Sequence, residues 1–448
     1  MRDEQPITTG QPISAEQPIS ASTPAEATRP EEQAPLPVLD MPVLDMPADG
    51  IPEVVDTPAA LAACIDSLRA GTGPVAVDAE RAQSFRYSAK SYLFQLRRAG
   101  SGSFIIDPIA FEDGSGRAQL GDLSEAIEDA EWIIHAATQD LRCLVEAGMV
   151  PERIFDTELA GRLLGLPRVG LGAMVEQYFG LHLLKEHSAA DWSRRPIPSD
   201  WLVYAALDVE LLVELREKLA ADLAAAGKLE WAEQEFAHLV EVYREPAEPA
   251  GERWRRTSGM HTVRSALGVA VVRELWSTRD EIARRLDKAP GKVVQDKAIS
   301  ELAGLVGRPP VVPTKEQMRR VDGFKRRTAR QYENSWLAAL ERVAELPAHE
   351  LPPVRTPLDG PPMPRQWERR WPDAFARWNA ARPATQQLAE KLSMPPENLV
   401  SPDTLRRITF EPPVPLTHET IDARLAELGA RPWQRQQLVP VLLETLDA

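Results

Sequence analysis

Three short β-prone runs succeed one another early in the chain: PVAVD (74–78), SYLFQLRR (91–98) and SFIIDP (103–108), separated by Gly, Ser and charged residues. Runs of this length, rich in Val, Ile, Phe and Tyr and bounded by turn formers, read as strands that meander. The pattern then changes. Helical spacing in LGDLSEAIEDA (120–130) leads into another apolar run, EWIIHAA (131–137), and a helix begins near Asp140 in TQDLRCLVEAG. Strands that first meander and then alternate with helices predict an α/β domain with a mixed sheet. From IFDTELAGRLLG (154–165) onward the spacing is mainly helical. Ser199 or Asp200 is placed to cap one long helix through DWLVYAALDVELLVELREKLAADLAAAG.

The chain has 448 residues, more than one core usually organises, and its punctuation divides it. Residues 1–50 repeat QPI three times and then read PVLDMPVLDMP. Such a stretch cannot bury enough surface to offset its ordering entropy, so a disordered acidic tail is expected, with PVLDM a linear binding motif if it is more than linker. The α/β domain is expected over 51–245. Charged linkers with Pro and Gly, 246–262 and 347–364, set off two helical modules at 263–346 and 365–448. Both modules carry a Trp (Trp276, Trp378), a Leu ten residues on (Leu286, Leu388), a Pro break, a Val and a short helix, which reads as an internal duplication.

The only cysteines, Cys64 and Cys143, cannot form a disulfide framework or a multi-thiolate zinc site. No stretch approaches the roughly 20 apolar residues of a membrane helix, and the N-terminus has no basic-then-apolar leader. A cytoplasmic protein without a membrane partner is expected. The net charge of −15 hides its distribution, because residues 251–331 carry 19 bases against 9 acids. Arg253, Arg255 and Arg256 flank Trp254, and Arg284, Arg285, Lys288, Lys292 and Lys297 cluster around a helix-turn-helix. These five form a candidate nucleic-acid surface, able to follow a phosphate backbone without reading sequence; a solvated charged face is the alternative.

Three features could carry chemistry. Asp78 and Glu80 sit at i, i+2 at a strand end, so their carboxylates project from one side and repel unless a cation or a shared proton relieves them. Asp140 arrives where a later strand gives way to a helix, and helix capping would also explain it. Tyr204 and Asp208 stack at i, i+4 on one helix face. Each is common alone; the order D-x-E, then Asp, then Y-x-x-x-D is not.

In that order, and in DAERAQSFRYSAKSYLFQLRRAGSGSFIIDP, HAATQDLRCL, IFDTELAGRLLG and DWSRRPIPSDWLVYAALDVELL, the chain resembles the ribonuclease D family, the Tyr-bearing branch of the DEDD exonucleases. The helical modules resemble HRDC domains. The resemblance implies a ribonuclease H-like exonuclease domain followed by two all-α HRDC-like domains. It also implies a 3′-5′ exoribonuclease that acts on RNA 3′ ends such as those of tRNA precursors and releases nucleoside 5′-monophosphates. Asp78, Glu80, Asp140 and Asp208 would hold two divalent ions, Mg²⁺ or Mn²⁺, and Tyr204 would orient the attacking water. A DNA 3′-5′ exonuclease and a non-catalytic RNA-binding scaffold are the rival readings. One departure is visible: the family usually has Thr where this chain has Ala79, a spacer whose side chain should point away from the carboxylates. Around these residues, His135 reads as a packed histidine before a phosphate contact, and Asp156 as a cap before a ligand. Arg86, Tyr87 and Gln95 read as contacts to terminal nucleotides or as sheet surface, and Trp192 and Arg195 as residues that order the loop before Tyr204.

Overall fold

The computed structural model describes residues 41–184, 187, 189–245, 251–355 and 360–447. Among the described residues eight strands form: β1 (Val43–Leu44), β2 (Val54–Val55), β3 (Thr72–Arg81), β4 (Ser91–Ala99), β5 (Gly102–Ile106), β6 (Trp132–Ile134), β7 (Ile154–Asp156) and β8 (His182–Leu183). Six of them make one mixed sheet in the order β2-β5-β4-β3-β6-β7. β3, β4 and β5 are the antiparallel meander; β6 joins β3 in parallel, β7 joins β6 in parallel, and β2 runs parallel to β5 at the far edge. Val75, Ala76 and Val77 of β3 are completely buried, as is usual for a central strand covered on both faces, and this is why its sequence does not alternate. The helix Ser199–Glu210 packs across β3, β4 and β5, which brings one of its faces to the end of β3.

The long helix expected from Ser199 onward is two helices, Ser199–Glu210 and Leu212–Ala225, which share Leu211 as a joint (φ −112, ψ 8). The break lets the second helix turn Leu212, Leu215, Leu219 and Leu223 into the core, each contributing about 1.5–3 kcal/mol of burial. Neither Ser199 nor Asp200 caps the first helix, because Pro198 occupies the cap position and no side chain bonds its amides.

The expected tail over 1–50 lies outside the described residues as far as residue 40. Within 41–50 the chain is ordered, contrary to the compositional reading. Val43 and Leu44 pair in parallel with His182 and Leu183 of β8, the Ala48 amide donates to Glu210 Oε1 (3.1 Å), and Asp49 pairs with Arg97 (2.9 Å). Composition averages over a stretch in which Leu44 finds Val175, Leu183 and Leu207 to pack against.

The two helical modules share a layout down to backbone angles. The first runs Ala266–Leu286, Pro290–Val293, extended Val294 (φ −148, ψ 131) and Asp296–Gly304; the second runs Pro372–Lys391, Pro396–Leu399, extended Val400 (φ −150, ψ 131) and Pro402–Phe410. Their cores differ. The first has its own, built on Val269, Val272, Leu275, Ile299, Leu302 and Trp336, whereas the second shares one with the α/β domain. Trp231 stacks on Trp433 at 4.8 Å, and Glu235 accepts from Arg431 Nε and Trp433 Nε1, both at 2.7 Å. No helix among the described residues is long and apolar enough to cross a membrane.

Candidate active site

At the end of β3, Asp78 faces Gln95 of β4 and Glu80 faces Leu93, and Asp208 approaches from the helix Ser199–Glu210. One carboxylate oxygen from each of Asp78, Glu80 and Asp208 lies within 4.8 Å of the others. One turn before Asp208, the Tyr204 hydroxyl hydrogen-bonds its carboxylate. Asp140, 5% exposed, follows β6 through the short turn Ala137–Gln139 and makes no side-chain cap to the helix it precedes; its carboxylate instead pairs with Arg81 at 3.4 Å. The capping explanation of Asp140 therefore fails. These residues line one cavity of about 550 Å³ together with Phe85, His135 and Gln139.

Burial pushes the Glu80 carboxyl up to about 10, and the charges of Asp78, Asp208 and Asp140 add to the effect. Burial also lifts Asp78 to about 6, against the opposing Ala79 amide and Arg81 charge, and holds Asp140 well above the carboxylate range, where Asp78 is the next contributor. Tyr204 is raised above the usual phenol range by burial and then by the neighbouring acids, which keeps its proton in place at neutral pH. Such a cluster cannot carry its full charge without a cation. Its donors are carboxylate oxygens on separate elements, a set that fits a hard divalent ion such as Mg²⁺ or Mn²⁺.

Neighbouring residues hold the acids in place. Gln95 is completely buried; in the amide orientation that satisfies both its ends, its nitrogen donates to the Asp78 carbonyl (2.9 Å) and to Asp78 Oδ2 (3.1 Å). It is neither sheet surface nor open to a nucleotide, and only the strand register, which sets it opposite Asp78, could have shown this. Asp156 is the expected cap and more. It accepts from the amides of Glu158 and Leu159 at its own helix and from Ala136 and Ala137, so it shapes the turn that carries Asp140. Arg195 takes both oxygens of Asp107 (2.6 and 2.7 Å) and the carbonyls of Tyr92 and Trp192, while Trp192 is buried against Trp201 and Tyr204. These two order the loop into the Tyr204 helix, as expected. His135 Nδ1 lies 2.8 Å from Thr157 Oγ1, the packed role, with its ring on the cavity wall. Ala79 is 7% exposed and faces Phe94 across the ladder.

Arg86 and Tyr87 are not plain sheet surface, because the first helical module takes them. Asp287, left-handed at the end of the long helix (φ 45), accepts from the Tyr87 amide (3.3 Å) and from Arg86 (3.2 Å). The Tyr87 hydroxyl donates to Asp280 (2.8 Å), and the Ala289 amide donates to the Phe85 carbonyl (3.0 Å). Of the basic candidates, Arg284 lies over the Tyr87 ring and pairs with Asp280, Arg285 lies over Tyr332, and Lys292 lies 5.2 Å from the centre of the Phe85 ring at the cavity rim. Lys288 and Lys297 are exposed.

A mixed sheet that presents three converging carboxylates, a fourth acid and a tyrosine in one cavity defines a 3′-5′ exonuclease domain of the ribonuclease H-like class. Comparison with known proteins agrees. Residues 52–224 match a 3′-5′ exonuclease family, residues 269–340 an HRDC domain, and residues 360–446 a 3′ to 5′ exonuclease C-terminal domain. The ribonuclease D of Jannaschia sp. is 31% identical over 69% of this chain and 78% of its own, and that of Pseudomonas paraeruginosa is 26% identical over 78% and 86%. Among solved structures, a protein from Bifidobacterium adolescentis superposes with a TM-score of 0.81 at 35% identity (91% and 100% covered). Escherichia coli RNase D, described as an exoribonuclease involved in structured RNA processing, superposes at 0.63 and 24% identity (88% and 98%). The chain belongs to the ribonuclease D family and is a 3′-5′ exoribonuclease.

Proposed function

We propose that the enzyme trims the 3′ ends of structured RNA, tRNA precursors among them, releasing nucleoside 5′-monophosphates with the help of two divalent ions, Mg²⁺ or Mn²⁺, held by Asp78, Glu80, Asp140 and Asp208. The observation that carries this reading is the convergence of the Asp78, Glu80 and Asp208 oxygens within 4.8 Å, in surroundings that disfavour the charge of Asp78 and Glu80. Bound there, a pair of ions supplies an activated water and neutralises the leaving 3′ oxygen. The protein does the positioning. Gln95 fixes Asp78, Asp156 fixes the turn that carries Asp140, and Tyr204, which keeps its proton, gives the water a hydrogen-bonding partner rather than a base. A single strand entering past Phe85 meets Lys292, and the exposed Arg285, Lys288 and Lys297 extend the positive face toward the body of the RNA.

The test is release of label from 3′-labelled RNA and DNA of equal sequence, single-stranded or with a structured body, in Mn²⁺ or EDTA, by wild type and Asp78→Asn. The expected outcome is metal-dependent release of 5′-monophosphates from RNA, lost in the variant. Release in EDTA, or equal activity of the variant, rejects the metal site; preference for DNA rejects the RNA substrate.

A further inference from the structure

β3 and β4 pair in register from Ala76 opposite Arg97 to Glu80 opposite Leu93 and then slip: Arg81 faces Ser91, which makes Tyr92 an extra residue in β4. The Ser91 hydroxyl lies within hydrogen-bonding distance of the carbonyls of Glu80 (3.1 Å) and Leu93 (2.8 Å), acceptors at the irregular point of the ladder. Strict alternation would turn Arg81 to the face opposite Asp78 and Glu80. Arg81 nonetheless lines the same cavity as the acids, as do Ala79 and Ala82 on either side of it. Its guanidinium reaches Asp140 at 3.4 Å, with the arginine side chain 24% and the aspartate side chain 7% exposed. The carboxylates are therefore divided. Asp78, Glu80 and Asp208 converge on one point, and Asp140, outside that group, is the acid that pairs directly with Arg81, whose charge also reaches Asp78 and Glu80.

We propose that Arg81 is a positioning residue that stands in for a cation at Asp140, holding this carboxylate in place in the ion-free enzyme and competing with a divalent ion for it. The inference rests on the metal-site reading above. An ion at Asp140 therefore binds against the guanidinium, and more weakly than one held by Asp78, Glu80 and Asp208.

The test is calorimetric titration of EDTA-stripped, full-length protein with Mn²⁺, without RNA, for wild type, Arg81→Gln, Arg81→Lys and Asp140→Asn. Wild type should show one tight and one weak event. In Arg81→Gln the weak event should tighten about tenfold, and the ion-free melting temperature should fall and recover with Mn²⁺; Arg81→Lys, which keeps the charge, should keep the weak event weak. In Asp140→Asn the weak event should disappear. If it disappears there while Arg81→Gln matches wild type, the role of Arg81 is overturned and the metal site stands. If Asp140→Asn itself leaves the isotherm unchanged, no ion binds at Asp140 and both ideas fall.

Discussion

Gln95, completely buried, holds the carboxylate of Asp78, one of the proposed metal ligands, by donating to it without bringing a charge. Gln95→Leu keeps the volume and the burial but removes both donors. We expect kcat on a short RNA to fall at least tenfold, Mn²⁺ affinity to fall with it, and the melting temperature to shift by only a few degrees; unchanged Mn²⁺ affinity would speak against the role. Asp156 makes a prediction about pH. Burial raises it from 3.8 to about 6 in the folded chain despite four amide donors, so folding takes up a proton between these values. Stability from this group is present below about pH 4 and is lost as pH rises through 6. Melting curves taken from pH 4 to 7 should show wild type losing this increment and Asp156→Asn lacking it; parallel curves would refute it. The acids themselves were legible because their order and spacing survive translation into strand and helix. Gln95 and Arg81 were not, because one meets Asp78 across a partner strand and the other meets Asp140 on a different element, and neither pairing is written locally.

Where helices end, their carbonyls point at whatever comes next, and in this fold two such ends point at each other. The helix Thr157–Leu164 closes at Gly165 (φ 74), and the long helix of the second module closes beside Ser393 (φ 48). A Cβ at Gly165 would lie 2.3 Å from the Ser393 carbonyl, so only glycine allows the approach. Two negative helix poles this close require a cation. Lys228, 7% exposed, supplies it, donating to the carbonyls of Leu163 (2.6 Å), Leu392 and Ser393. Lys228→Met leaves these acceptors buried without a donor, and chemical denaturation should show a loss of about 2–4 kcal/mol. A loss below 0.5 kcal/mol would mean that water takes the place of the ammonium. The duplication of the modules was legible from Trp, Leu, Pro and Val at matching intervals. That the second copy would fuse with the catalytic core was not, since the deciding contacts, Trp231 with Trp433 and Lys228 with Leu392, join residues far apart in sequence.

Across the whole molecule the two modules differ in dependence. The second contributes Leu438, Val439, Leu442 and Trp433 to the same core as Val75, Ile133 and Leu215, whereas the first keeps its own and touches the catalytic domain through the clasp at Phe85, Arg86 and Tyr87. Scanning calorimetry should resolve two transitions, one for the exonuclease domain together with the second module and one for the first module. Asp287→Ala should lower the first module's transition while leaving the other within about a degree. A single transition that moves as a whole in Asp287→Ala would refute the division. The first module's core reaches back to Trp254, inside the stretch expected as linker, and this, like the inequality between the copies, is a property of packing. That inequality also sets what recombination can do to a chain of this architecture. The first module is an exchangeable cassette: a foreign helical domain offering equivalents of Asp280, Asp287 and the Ala289 amide could be grafted in without disturbing the catalytic core, while the second cannot be traded without rebuilding the catalyst.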